Sequence, residues 1–244
     1  REYNVSVSAH WRRPRWWALA TTIAGVALFV RAGFWQLDRA DEKERLLTAF
    51  AQATTAAPTA LEQARRIATT TTFPRVAISG HYDSAHTYLL DDQTRGGRVG
   101  VVAYAVFEPA DGSTALLVDR GFRALSSGSE KIPPAADTEQ TLTGLYAPPP
   151  AIGLRMGGDA LPAQTTWPKR TIRIDLAEIS ADLGRKLDDH VLLLDPDPGS
   201  GFERTWQPET MPPARHRAYA FQWFSFAIAA IVLFGVMHRR RNKK

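Results

Sequence analysis

The chain has no cysteine and only three methionines among its 244 residues. Without cysteine it can form no disulfide, no thiolate metal site and no thiol nucleophile. Copper(I) favours sulfur ligands, but Met156, Met211 and Met237 lie too far apart in the sequence to suggest a site. The composition therefore argues against a copper carrier.

Common enzyme motifs are also missing, including GxSxG, HExxH, the phosphate-binding loop and the dinucleotide fingerprint. His81, Asp83 and His86 suggest a metal site only weakly, because residues 81 and 83 share one face of a strand and residue 86 does not. We expect no enzyme activity and no catalytic residues. A periplasmic enzyme on a membrane anchor is the alternative, and no nucleophile–base set supports it.

Two long apolar runs are present, one near each end of the chain. Trp16–Leu37 carries one charge, Arg31, and Ala218–Met237 carries none. Each run is long enough to cross a bilayer core of about 30 Å as a helix. Aromatic residues stand at their ends, where rings prefer the membrane interface. The sequence therefore predicts transmembrane helices over 16–37 and 218–237, the first as an uncleaved anchor.

Basic residues are concentrated at the two ends of the chain. The net charge is +4 over residues 1–37 and +5 over 238–244, so the middle is acidic although the whole chain carries +5. This distribution suits membrane topology rather than nucleic-acid binding. It predicts a multi-pass protein of the bacterial inner membrane, with cytoplasmic tails at 1–15 and 238–244. Residues 38–217 would form a periplasmic domain.

Arg31 lies six residues inside the outer end of the first predicted span. It can extend outward to lipid head groups. The alternative is that it pairs with an anionic group near the outer ends of the helices.

The predicted periplasmic domain begins with a continuation of the first helix to about Ala57 and a short helix over Leu61–Ile67. Alternating apolar residues then indicate about seven antiparallel strands in a barrel or sandwich. The predicted fold class is a membrane protein whose two transmembrane α-helices flank a mostly antiparallel β (α+β) extracytoplasmic domain. The first strand is the alternating stretch of Val76, Ile78, Gly80 and Tyr82. The later predicted strands are His86–Asp92, Val99–Phe107, Ala115–Val118, Thr141–Tyr146, Thr171–Asp175 and Val191–Leu194. The turn Thr94-Arg95-Gly96-Gly97 joins the second strand to the third, and a helix is predicted from Asp175 to about Leu187.

Two groups of residues with helical spacing lie where the predicted spans leave the membrane. Gln36, Arg39 and Lys43 share one face of the first helix, next to Trp35. Two cations on this face could anchor lipid phosphates or pair with carboxylates of a ligand or partner.

The second group begins the second span. His216, Tyr219, Ala220 and Trp223 share one helical face, and Arg215 and Arg217 flank the histidine. A neutral imidazole is a common haem ligand, and arginines would suit anionic propionates. A histidine that only ends a helix is the alternative.

These motifs together resemble those of the Surfeit-locus protein 1 family, which are membrane assembly factors of haem–copper cytochrome c oxidase. The resemblance runs nearly end to end. The matching residues are Gly33, Trp35, Gln36, Arg39, Lys43 and Leu46; Gly80, Tyr82 and Asp83; Arg120, Gly121 and Phe122; and His216, Tyr219, Ala220, Trp223 and Phe224. Phe122 departs from the usual tryptophan, and Ala103–Phe107 departs from the usual Thr-Pro-Leu.

The resemblance implies a role in placing a-type haem into oxidase subunit I, with His216 as the candidate ligand of the haem iron. Tyr219, Trp223, Trp35 and Gln36 would then lie near the ring, and Arg39, Lys43, and Arg215 or Arg217 near its propionates. Implied partners are subunit I, haem-synthesis or other assembly factors, and membrane lipid, but not nucleic acid. A scaffold that holds oxidase subunits without binding haem is the alternative.

Overall fold

The computed structural model describes residues 13–125, 132–150, 161–205, 208 and 211–239. The chain divides into two compact units, one of Arg1–Leu46 with Glu209–Lys244 and one of Leu47–Pro208. In chain order the elements are α1 (Trp16–Thr55), α2 (Leu61–Ile67), β1 (Arg75–Arg95), β2 (Arg98–Pro109), β3 (Leu116–Ala124), β4 (Gln140–Ala147), β5 (Lys169–Thr171), α3 (Leu176–Leu183), β6 (Val191–Leu194), a 3₁₀ turn (Pro198–Ser200) and α4 (Pro213–His238).

The two long helices contain the two apolar runs. α1 has 40 residues and α4 has 26, so each exceeds the length that a bilayer core requires. Their most apolar windows are almost entirely unburied by the protein, as expected for surfaces that face lipid. The protein is a membrane protein with two spans and a central domain, as predicted. Residues 1–12 and 240–244 of the predicted tails lie outside the described residues.

The strands of the central unit close into a barrel. β1 pairs with β2, β2 with β3, β3 with β6, β6 with β4, and β4 returns to β1, while β5 extends one edge of β1. The predicted barrel-or-sandwich form is thus resolved as a barrel, which leaves no free edge around its ring. The prediction of about seven antiparallel strands was wrong in detail. The described residues form six named strands, and the β3–β6 and β1–β5 pairs are parallel.

β1 is one strand of 21 residues, where the sequence predicted separate strands before and after Ser84. The register of β1 against β2 shifts between Tyr82 and Thr87 and again between Leu90 and Gln93. Such bulges interrupt the alternation of side chains without ending the strand. The predicted hairpin turn is confirmed, because Gly96 and Gly97 both have positive φ between the paired ends of β1 and β2.

The predicted strand Thr171–Asp175 is displaced, since β5 covers Lys169–Thr171. Asp175 instead caps α3, where its carboxylate accepts hydrogen bonds from the backbone N–H groups of Ala177 and Glu178. α3 ends earlier than predicted, because Gly184 adopts the left-handed conformation that terminates a helix.

Alternate side chains of the strands enter different apolar clusters. Val76, Phe107 and Leu192 belong to a cluster that includes Leu61 and Ala64 of α2. A second cluster packs against α3 and contains Tyr88, Val106, Phe122, Ile179 and Leu187, among others. The two short helices therefore cover different parts of the barrel.

Candidate functional site at the membrane helices

Small residues bring α1 and α4 close together. Gly33 is buried in α1, and a Cβ added there would lie 2.6 Å from the ring of Phe224. Ala220 and Ala227 are buried on the facing side of α4. Helices in a membrane associate through such small-residue contacts, since lipid gives them no hydrophobic driving force.

His216 lies on this contact face and bonds to α1. Its Nδ1 is 2.8 Å from Oε1 of Gln36. An amide oxygen only accepts hydrogen bonds, so Nδ1 carries the proton in this arrangement. The other ring nitrogen, Nε2, is buried and has no hydrogen-bond partner among the described residues. In the neutral imidazole this arrangement leaves the lone pair on Nε2, which is the form of the ring that binds metals.

The aromatic residues of the predicted site are divided between the helix contact and the surface. Trp223 stacks on Phe29 of α1 with ring centroids 5.8 Å apart. Tyr219 is 42% exposed, and Trp35 is 51% exposed beneath the guanidinium of Arg39 at 5.8 Å. His216 and Trp223 thus face α1, whereas Tyr219 and Trp35 lie outside that contact.

Three of the cations predicted to face a ligand, Arg39, Lys43 and Arg217, have acidic partners that were not predicted. Arg39 donates to Glu42 at 2.6 Å, and Lys43 lies 3.3 Å from the other oxygen of the same carboxylate. Arg217 forms an ion pair with Glu44. These pairs are half-exposed, so they are easily exchanged for other anions. The i, i+3 spacing of Arg39 and Glu42 permits their pair, whereas Glu44 lies on a different helix from Arg217 and its pairing has no such signal in the sequence.

The other histidine–carboxylate clusters already have structural partners. The carboxylate of Asp83 bonds to Nδ1 of His86 at 2.6 Å and to Arg185 at 2.7 Å. The buried Asp188, next to Asp189 and His190, accepts from Arg65 at 2.8 Å and from the hydroxyl of Tyr146. These contacts tie β1 and α2 to the segment that follows α3.

Arg120, from the third matching motif, connects β3 to the segments that contain Pro133 and Phe202. Its guanidinium lies 4.7 Å from the ring of Phe202 and donates to the carbonyls of Pro133 and Pro134 at 2.7 and 3.2 Å. Burial lowers its pKa from the usual value. The preceding Asp119 is fully buried.

In chain order a closed barrel lies between two membrane spans, and a histidine lies at the contact between those spans, so the chain is a membrane-anchored β-barrel protein. The sequence model of the SURF1 family matches residues 23–228, and the chain belongs to this family. The family is associated with cytochrome c oxidase assembly and is not a known enzyme class. No match was found among curated protein sequences. The predicted resemblance is therefore confirmed over most of the chain.

Proposed function

We propose that this assembly factor receives a-type haem at His216 and helps to place it into oxidase subunit I. The observation that carries the proposal is the buried Nε2 of His216, which has no hydrogen-bond partner among the described residues. An unsatisfied polar atom in a tight helix contact costs free energy, so its retention favours a role in binding. When bound, haem would supply an iron that a neutral imidazole can ligate.

Gln36 prepares His216 for this role. By accepting a hydrogen bond from Nδ1–H it selects the tautomer in which Nε2 keeps its lone pair, and it holds the ring in one orientation. Since Nε2 is buried, binding requires α1 and α4 to separate locally at this level. Closure of the same contact would favour release, which suits a protein that passes its ligand on.

Arg39, Lys43 and Arg217 supply the positive charge for the two propionates. Each would exchange its carboxylate partner, Glu42 or Glu44, for a ligand carboxylate. Each cation stays paired because one carboxylate replaces another, and the displaced Glu42 and Glu44, which are half-exposed, would be solvated by water. Trp223 would provide an apolar surface below the histidine, while Tyr219 and Trp35 remain at the accessible edge.

The existing ion pairs favour a second candidate, a scaffold that holds oxidase subunits without haem. In that case Gln36 and His216 would only join the two spans, and Glu42 and Glu44 would only neutralise the cations. The two candidates differ in what happens to subunit I. Loss of a scaffold lowers the amount of subunit I, whereas loss of a haem donor lowers the haem carried by each subunit.

The experiment is complementation of a strain that lacks this protein. We expect the wild-type chain and Phe221→Leu, a change at an exposed residue of α4 outside the site, to restore the a-type haem content per subunit I. His216→Ala should leave it at less than about a tenth, as expected when a ligand worth more than about 1.4 kcal/mol is removed. Haem per subunit is measured by pyridine haemochrome spectra with immunoblotting for subunit I. Full restoration by His216→Ala would exclude the haem role.

For the topology, we propose that both termini are cytoplasmic and that the barrel is periplasmic in a bacterial inner membrane. Basic residues beyond both spans support this orientation. Alkaline phosphatase inserted at the exposed Asp111-Gly112 turn should be active, because that enzyme requires export to fold. The same enzyme fused after Lys244 should be inactive, and the opposite pattern would contradict the orientation.

A further inference from the structure

Arg31 is a charged residue within the apolar part of α1. It lies six residues, or about 9 Å along the helix, from Leu37, where the apolar run ends. Its side chain is exposed, and no ion pair joins it to any residue in the described ranges. A charge at this depth is costly in a bilayer unless it is paired or solvated, so such residues usually mark a functional contact.

Arg31 lies on the side of α1 that α4 does not cover. With 3.6 residues per turn, Gly33 and Gln36 define the face in contact with α4, and Arg31 lies on the opposite face. Ala20, Ala24 and Ala27 continue this opposite face, and all three are exposed. Arg31 and these alanines form what we call the outer face of α1.

The chain offers Arg31 no carboxylate within the membrane. Residues 16–37 and 213–238 contain no aspartate or glutamate. The nearest acid on the same face, Asp38, is two turns away, beyond the i+3 and i+4 positions that meet on a helix. A second copy of the chain would bring another Arg31 and the same apolar spans, so self-association would not neutralise the charge.

Lipid phosphate is poorly placed to neutralise Arg31. The nearer membrane surface lies toward the C-terminal end of the span, at Leu37. Helical side chains incline toward the N-terminus, which directs Arg31 away from that surface whichever way the helix is inserted. Extension outward would oppose this inclination, whereas a carboxylate on a neighbouring helix can meet the guanidinium laterally.

We propose that the outer face of α1 docks a transmembrane helix of a partner protein, and that this helix carries an aspartate or glutamate at the depth of Arg31. The alanines allow the partner helix to approach closely. A bidentate pair between guanidinium and carboxylate would fix its depth and rotation. The contact is separate from the His216 face and does not require that haem be bound.

The test uses the full-length protein in neutral phosphatidylcholine nanodiscs at pH 8. Its probe is a labelled apolar peptide of about 22 residues with one glutamate at the depth of Arg31, beside a twin with glutamine. Energy transfer should show binding of the glutamate peptide at least about threefold tighter than that of its twin. Arg31→Leu should abolish the difference, and Arg31→Lys should retain part of it.

A charge swap provides the specific control. Arg31→Glu should prefer a third peptide that carries lysine at the same depth, whereas Leu28→Ala, a change beside the charge, should leave the glutamate preference intact. Equal binding of the glutamate and glutamine peptides by the wild-type protein would overturn the proposal. A glutamate preference that persists in Arg31→Leu would also overturn it.

Discussion

Replacing Asp119 by asparagine should remove most of the pH dependence of barrel stability between pH 4 and pH 8. Asp119 is fully buried in β3, and burial raises the pKa of its carboxyl group to about 7. One oxygen accepts from the backbone N–H of Gly121 at 2.9 Å, but Oδ2 has no hydrogen-bond partner among the described residues. Hydrogen bonds from Tyr104 and Gly121 oppose the rise without cancelling it.

The direction of the pH dependence follows from the protonation of Asp119 in the folded and the unfolded chain. Below pH 4 the carboxyl is neutral in the folded and unfolded chains. As the pH rises toward 7 the unfolded chain ionises first, so folding loses up to about 4 kcal/mol, at about 1.4 kcal/mol per pKa unit. Above pH 7 both forms are ionised and the loss is complete. The wild-type barrel should therefore be less stable at pH 8 than at pH 4 by this contribution.

Urea unfolding of the full-length protein in detergent, followed by the circular dichroism of the sheet, measures this effect. Asp119→Asn should be more stable than the wild type at pH 8, although its new amide is also buried with few partners. Asp111→Asn is the control. Hydrogen bonding from Ser113 lowers the pKa of that surface carboxyl, so its contribution to stability rises with pH, opposite to that of Asp119. A wild-type profile that does not fall between pH 4 and pH 8 would contradict the assignment.

Replacing Gly80 by alanine should destabilise the barrel by about 3 kcal/mol or more, at the upper end of the cost of overpacking. Gly80 lies in β1 where that strand pairs with β2 on one side and β4 on the other. An added Cβ would lie 2.1 Å from the carbonyl oxygen of Glu108 in β2. Because the obstacle is backbone, relief requires the two strands to separate.

The matched control is Gly199→Ala, in the 3₁₀ turn. There the nearest atom to an added Cβ is a side-chain oxygen of Asp197 at 3.4 Å, an ordinary contact distance. We expect this variant to change the free energy of unfolding by less than about 0.5 kcal/mol, as is usual at surface sites. Urea midpoints of the two variants should therefore differ clearly. Similar midpoints would mean that β1 and β2 adapt at Gly80 at little cost.

Elements with a local signal could be predicted from the sequence. α2 and β6 lie where their apolar pattern placed them, and the Gly96-Gly97 turn has the glycines that positive φ requires. β1 was divided in the prediction, because its bulges break the two-residue period. The parallel pairs β3–β6 and β1–β5 join distant segments, and neither partner's sequence specifies the other.

The candidate site was predicted as two separate faces. Helical spacing placed Gln36 on one and His216 on the other, but only packing of α1 against α4 joins them at 2.8 Å. The burial of Asp119 was not predicted, although an aspartate directly after Leu116, Leu117 and Val118 indicates a carboxyl group within a buried strand. The acidic partners of the cations depend on side-chain conformations that spacing alone does not determine.

Whether Nε2 of His216 is a haem ligand is tested most directly by titrating the purified full-length protein with a-type haem in detergent. If Nε2 of His216 ligates the iron, the wild type should give the absorption spectrum of histidine-ligated haem. Gln36→Leu should bind haem more weakly, and His216→Gly should not give this spectrum. Added imidazole should restore the spectrum to His216→Gly, because it replaces the missing ligand without repairing any other contact. Identical spectra for the wild type and His216→Gly before imidazole is added would contradict ligation of haem by His216.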